Sequence, residues 1–182
     1  MNKGKHVVLG VTGSIAAYKA AELVRMIRAC GCEVSVVMTQ AATHFIGVLT
    51  MQTLSRNPVA IDMFEPTGQW CPEHVALADR ADALVIAPCT AGAIARMAQG
   101  LADDLLTCIV LATRAPVIIV PAMNDNMLGH PAVQTNLETL KARGVTVVDA
   151  VSGELVCGRE GKGRMAPLEA TMKTLKAVLH LD

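Results

Sequence analysis

A cysteine in a glycine-rich run, a histidine ahead of an apolar stretch and an asparagine behind a buried strand are the side chains whose types allow chemistry here. Cys157 lies in Ser152–Met165, a run with four glycines and almost no apolar content after Val156. Glycine loses the most backbone freedom on ordering, so this run is expected to be a poor helix, a poor strand and a mobile flap. A thiol on a flap beside Arg159, Lys162 and Arg164 can close over an anionic ligand and take part in proton transfer. The same run also reads as a surface loop with an incidental cysteine and solvated charges. His74, in Cys71-Pro-Glu-His-Val-Ala-Leu, is either an acid–base group or a structural or solvent-exposed imidazole. Cys71 and His74 lack a second pair at ligand spacing, so no metal is expected. Asn124, in Pro121-Ala-Met-Asn-Asp-Asn-Met127, can donate its amide hydrogens to a carboxylate, cap a helix, or do both.

Three further segments have the make-up of ligand loops. Gly10-Val-Thr-Gly-Ser-Ile-Ala-Ala-Tyr-Lys19 is a glycine turn between a strand and a helix, where amide N–H groups meet the positive end of the helix and favour a phosphate. Ser14 is either the cap of that helix or a phosphate ligand. G-x-G-x-x-G and Walker patterns are both missing, which disfavours a nicotinamide dinucleotide or a nucleoside triphosphate and leaves a mononucleotide phosphate open. Thr39 closes a second strand, as cap or as ligand. Ile86-Ala-Pro-Cys-Thr-Ala-Gly-Ala93 is built of small residues, which admit a planar ligand close to the backbone or simply pack tightly.

These loops need a scaffold, and the hydrophobic pattern supplies one. Strand-like runs at His6–Gly10, Glu33–Met38, Ala83–Ala87, Ala115–Val120 and Val145–Val148 alternate with helical patterns. The helices are expected at Ile15–Cys30, around 91–99 and 103–114, up to Ala142, and from Pro167 and Leu168 to about His180. Ser55–Cys71, with Pro58, Pro66, Gly68 and Pro72 in or beside it, reads as an irregular excursion. The alternation predicts an open, doubly wound parallel sheet whose strand C-termini and following loops share one edge.

Composition fits that architecture. Of 182 residues, 52% are apolar but only 2% aromatic, so the core is aliphatic, as in a sheet buried on both faces. Lys+Arg and Asp+Glu are balanced at 16 each, so no global field draws in nucleic acid or an anionic membrane. No apolar run reaches membrane-span length, and the first residues lack a signal-peptide layout. Cys30, Cys32, Cys71, Cys89, Cys108 and Cys157 show no disulfide-framework spacing, so reduced thiols and a cytoplasmic location are expected.

Four segments, in order and over nearly the whole chain, resemble the homo-oligomeric flavin-containing cysteine decarboxylases. They are Gly13-Ser-Ile-Ala, His74 followed by Val-Ala-Leu, Pro121-Ala-Met-Asn-x-x-Met127 and Cys157-Gly-x-x-Gly-x-Gly-Arg-Met165. The resemblance implies one flavoprotein domain over residues 1–182 with a three-layer, flavodoxin-like (Rossmann-like) α/β fold. It implies a homotrimer, or a homododecamer of trimers, with FMN at the subunit contact. Gly13, Ser14, Ile15, Thr39, Phe45, Thr90, Ala91, Gly92, Ala93 and Ala122 would contact FMN. His74 would be the active-site histidine, Asn124 the substrate-carboxylate ligand and Cys157 the proton donor. Met127, Arg159, Lys162 and Arg164 would meet the substrate. The implied reaction decarboxylates 4′-phosphopantothenoylcysteine to 4′-phosphopantetheine in coenzyme A biosynthesis, by thiol oxidation to a thioaldehyde, loss of CO2 and re-reduction of the enethiol. A phosphopantothenate–cysteine ligase domain or protein is an implied partner. Peptidyl-cysteine decarboxylation in antibiotic-peptide maturation and a non-catalytic flavin-binding regulator are the alternatives. Two departures stand out: Gly92 and Ala93 replace an Asn-Thr pair of the family, and Leu128 replaces an aromatic residue.

Overall fold

Runs rich in β-branched residues become the inner strands of one sheet. The computed structural model describes residues 4–64, 71–154, 158 and 160–181. In chain order the first half comprises β1 (His6–Val11), α1 (Tyr18–Ala29), β2 (Glu33–Met38), α2 (Val48–Ser55), β3 (Val59–Ala60), α3 (Glu73–Arg80) and β4 (Ala83–Cys89). The second half comprises α4 (Ala91–Gln99), α5 (Leu105–Ala112), β5 (Val117–Pro121), α6 (Asp125–Gly129), α7 (Pro131–Ala142), β6 (Thr146–Val147), β7 (Val151–Glu154), β8 (Glu160–Arg164) and α8 (Leu168–Leu179). Six strands pair in parallel in the order β3-β2-β1-β4-β5-β6. This is the expected three-layer flavodoxin-like α/β architecture. The winding reverses between β1 and β4, which opens a crevice beyond their C-terminal ends.

Strand alternation sorts the core into two layers. Val7, Leu9 and Val11 of β1 join Leu23, Val24 and Ile27 of α1 and Leu175 of α8 on one face. Val8 joins Ile94 of α4, Ile109 of α5 and Leu140 of α7 on the other. Each fully buried aliphatic side chain contributes about 1.5–3 kcal/mol. Gly10 lets α5 come close, since a Cβ there would stand 2.6 Å from Leu106 Cδ1.

The elements depart from expectation where local chemistry intervenes. The first helix opens as a 3-10 turn at Ile15–Ala17 before α1. The helical stretch ending at Ala142 is split, because Pro131 has no N–H to continue α6 and instead starts α7, with His130 Nδ1 accepting from Ala132 N at 3.2 Å. A 3-10 turn at Gln40–His44 and α2, absent from the sequence reading, follow β2. Within the irregular excursion, β3 adds a sheet edge beside β2, anchored by Asn57 Nδ2 donating to Val34 O at 2.7 Å. Residues 65–70 of that excursion lie outside the described residues.

The glycine-rich run corrects the expectation of a poor strand. Its described residues pair as an antiparallel ribbon, β7 with β8. The glycines serve close approach: a Cβ on Gly161 would stand 2.8 Å from Asp125 Cβ, and one on Gly163 would strike Met123 O. Cys30, Cys32, Cys71, Cys89 and Cys108 are unpaired thiols. Among the described residues no helix is long and apolar enough to cross a membrane, and no cluster of acidic, histidine or cysteine side chains could hold a metal ion.

Candidate active site

Thr12, at the end of β1, knits the crevice together. Its hydroxyl donates to Pro88 O at 2.8 Å and accepts from Thr90 N at 3.0 Å. One buried hydroxyl thereby fixes the loop after β1 against the loop after β4. Each neighbouring loop then starts a helical turn with a hydroxyl cap. Ser14 Oγ accepts from Ala16 N, Thr39 Oγ1 from Ala42 N and Thr90 Oγ1 from Ala93 N, each at 3.3 Å. The capping role open for Ser14 and Thr39 is therefore filled, and the first amides of each turn lack a carbonyl one turn back. Gly13 is demanded by packing, since a Cβ there would stand 2.5 Å from Ala41 Cβ.

These loops wall an open cleft of about 1250 Å³. Gly13, Ser14, Ile15 and Thr39 line it from the β1 and β2 ends. Thr90, Ala91, Gly92, Ala93 and Ala122 line it from the β4 and β5 ends. Asn124, Met127 and Arg164 complete its wall. Asn124 caps α6 through Oδ1, which accepts from Asn126 N at 2.9 Å, so both expected roles are compatible: the amide NH2 can still donate. β8 is tied to this turn by Met123 N donating to Gly163 O at 3.0 Å.

Among the cleft residues that sequence reasoning missed, besides Thr12, are three charged ones whose surroundings are informative. Lys19, on the first turn of α1, has its ammonium pKa lowered, first by burial and then by the positive charge of Arg164. Arg96 of α4 is paired through Nε with Asp103 Oδ1 at 3.1 Å. Asp104 caps α5, accepting from Thr107 N at 2.7 Å. The available signal was a lysine one turn beyond a glycine loop, and an Asp three residues before a Thr.

Other expected residues lie elsewhere. His74 sits half-buried on the first turn of α3, and Phe45 follows the turn after β2; neither lines the cleft. Lys162 lines a separate cavity of about 230 Å³ that also holds Asp125 and Asp149. Cys157 and Arg159 lie outside the described residues. Cys89 is no substitute nucleophile, because complete burial pushes its thiol far up and keeps it protonated.

A parallel, doubly wound sheet with capped loops converging at its switch point defines an α/β protein of the mononucleotide-binding class. The chain belongs to the Flavoprotein family, whose model matches residues 1–180. It is 45% identical over 172 residues to the coenzyme A biosynthesis bifunctional protein CoaBC of Haemophilus influenzae. That match covers 94% of this chain but 43% of the relative, so the chain spans about two fifths of that protein. A PPC decarboxylase mutant complexed with pantothenoylaminoethenethiol superposes with a TM-score of 0.86 at 30% identity, covering 98% of this chain and 100% of the other. The FMN-dependent cysteine decarboxylase SpaF gives 0.84 at 30% identity, covering 97% of both chains.

Proposed function

We propose that this chain is an FMN-dependent carboxy-lyase that converts 4′-phosphopantothenoylcysteine into 4′-phosphopantetheine in coenzyme A biosynthesis. The observation carrying the reading is the cleft itself, which sets Asn124 beside three capped loop ends in a chain so similar to a coenzyme A biosynthesis protein. The identity of 45% to that relative and of 30% to the PPC decarboxylase mutant, against 20% to the peptidyl-cysteine decarboxylase EpiD, favours the small-molecule substrate over a cysteine-ended peptide.

The cleft residues fit FMN. Its volume of about 1250 Å³ holds a cofactor and a substrate together, and its walls carry small side chains at Gly13, Ala91, Gly92, Ala93 and Ala122. The turn at Gly13–Ile15 suits the phosphate. With no side chains longer than a methyl at Gly92 and Ala93, contacts there run through backbone amides and Thr90. When bound, FMN supplies a reversible two-electron acceptor, without which a carboxylate on a saturated carbon has no outlet for the electrons left by CO2.

The chain's own residues do the rest. Asn124 holds the substrate carboxylate through neutral N–H donors, which do not oppose its departure as uncharged CO2. Met127 packs beside it and Arg164 meets the substrate's anionic end. Cys157 donates the proton that completes the saturated product. His74 assists loss of the substrate thiol proton, delivered by a neighbouring copy across a homotrimeric contact that also closes over FMN. That assembly is supported by the position of His74 outside its own chain's cleft. The cytoplasm is the proposed location, supported by five unpaired cysteines, and a phosphopantothenate–cysteine ligase the proposed partner.

The test is a visible spectrum of purified protein followed by anaerobic turnover of 4′-phosphopantothenoylcysteine with CO2 and product measured separately. Bound flavin, CO2 and 4′-phosphopantetheine are expected, and Cys157→Ser should release CO2 while failing to accumulate saturated product. A colourless protein that takes up no flavin, or one that releases no CO2, overturns the reading.

A further inference from the structure

Two cations share the cleft without an ion pair among the described residues, although Asp104, engaged as the α5 cap, and Glu154 also line it. Lys19 enters it from α1 and Arg164 from the end of β8. Neither forms an ion pair with a described carboxylate, whereas Arg96, the other cleft cation, is taken by Asp103. The arrangement is built. Arg164 lies over Gly153, where a Cβ would stand 2.6 Å from its Nη1 and 3.0 Å from its Cδ, so a side chain there would displace the guanidinium. The bond from Met123 N to Gly163 O holds the residue before Arg164 beside the Asn124 turn. Burial and the field of Arg164 both disfavour the charged form of Lys19, a cost that an anion between the two would reverse. A phosphate monoester, carrying roughly −1.5 to −2 at neutral pH, is the ligand of matching charge and size.

We infer that Lys19 and Arg164 together seat a phosphate monoester, the one on the pantothenoyl end of the substrate. The flavin phosphate has its own place at the turn Gly13–Ile15, where donors are helix-start amides. Lys162, facing Asp125 and Asp149 in its own cavity, takes no part. The inference rests on the decarboxylase reading and adds to it the device that tells a phosphorylated substrate from its unphosphorylated form.

The experiment compares wild type and Lys19→Gln with phosphopantothenoylcysteine and pantothenoylcysteine, alongside flavin content and calorimetric binding of 4′-phosphopantetheine and pantetheine. Loss of a charge-assisted contact should lower the kcat/KM ratio of phosphorylated to unphosphorylated substrate about ten- to hundredfold, with flavin content kept. Arg164→Gln should do the same. An unchanged ratio overturns the inference, and an unchanged ratio with flavin lost moves the pair to the flavin phosphate. If wild type releases CO2 from neither substrate, the decarboxylase reading falls. The seat is then decided by calorimetry alone: a preference for 4′-phosphopantetheine that Lys19→Gln erases supports it, and equal binding of both compounds overturns it.

Discussion

At the scale of single residues, Thr12 holds the two halves of the cleft in register with one hydroxyl. Thr12→Val keeps the shape but strands the part-buried Thr90 amide and removes the bond to Pro88 O, a loss of about 1 kcal/mol. The melting temperature should fall by about 2–4 °C for each kcal/mol, with weaker flavin retention, while Thr12→Ser stays near wild type. Equal melting curves for Thr12→Val and wild type would remove that role. His6, at the opposite end of β1, gives a pH signature. It is buried, with Nε2 3.0 Å from Ser35 Oγ and Nδ1 unpartnered. Burial first, then the positive charge of Arg80, hold its pKa below the usual 6.5, against opposing pulls from Glu33 and Asp82. The unfolded chain therefore takes up a proton as pH falls through about 6.5 while the folded chain does not. This contribution is fully present above that pH and drains away below it, until the folded imidazole also protonates. Chemical denaturation from pH 7.5 to 5.5 should show a steeper loss in wild type than in His6→Gln. The caps Ser14, Thr39 and Asn124 could be read from the sequence because a hydroxyl or amide before a helix has few other uses. Thr12 could not, since its partners lie 76 and 78 residues away.

At the scale of elements, β8 walls the cleft beside the Asn124 turn, and its position there depends on close backbone approach. Gly163→Ala would drive a methyl into Met123 O, pushing the ribbon off the Asn124 turn. Turnover should drop about a hundredfold, as expected for a misplacement of roughly 1 Å, with flavin binding and far-UV circular dichroism retained. Full activity in Gly163→Ala would mean that the ribbon need not touch that turn. The four inner strands were legible because Val, Ile and Leu dominate them, despite Gly10 in β1 and Ser35 in β2. The ribbon was not, because glycines selected for backbone approach look like glycines selected for freedom. β3 and β6 were hard to delimit for a different reason: each contributes two residues, too few for a period to show.

At the scale of the whole molecule, the separation of His74 from the cleft predicts complementation. His74→Asn and Asn124→Asp should each be inactive alone, yet refolding them together should restore activity in mixed assemblies containing one intact composite site. No recovery, with mixing verified by mass spectrometry, would place both roles within one copy. Spacing along the sequence made His74 visible as a motif residue but carried no information on which copy's cleft it serves. The sheet constrains how such copies can meet. Both of its borders are two-residue strands, so an incoming chain would find only a couple of rungs to bond. Growth by strand addition is thereby starved, and any self-association must be written in side chains on helices and loops, where shape and charge can set how many copies join and then stop.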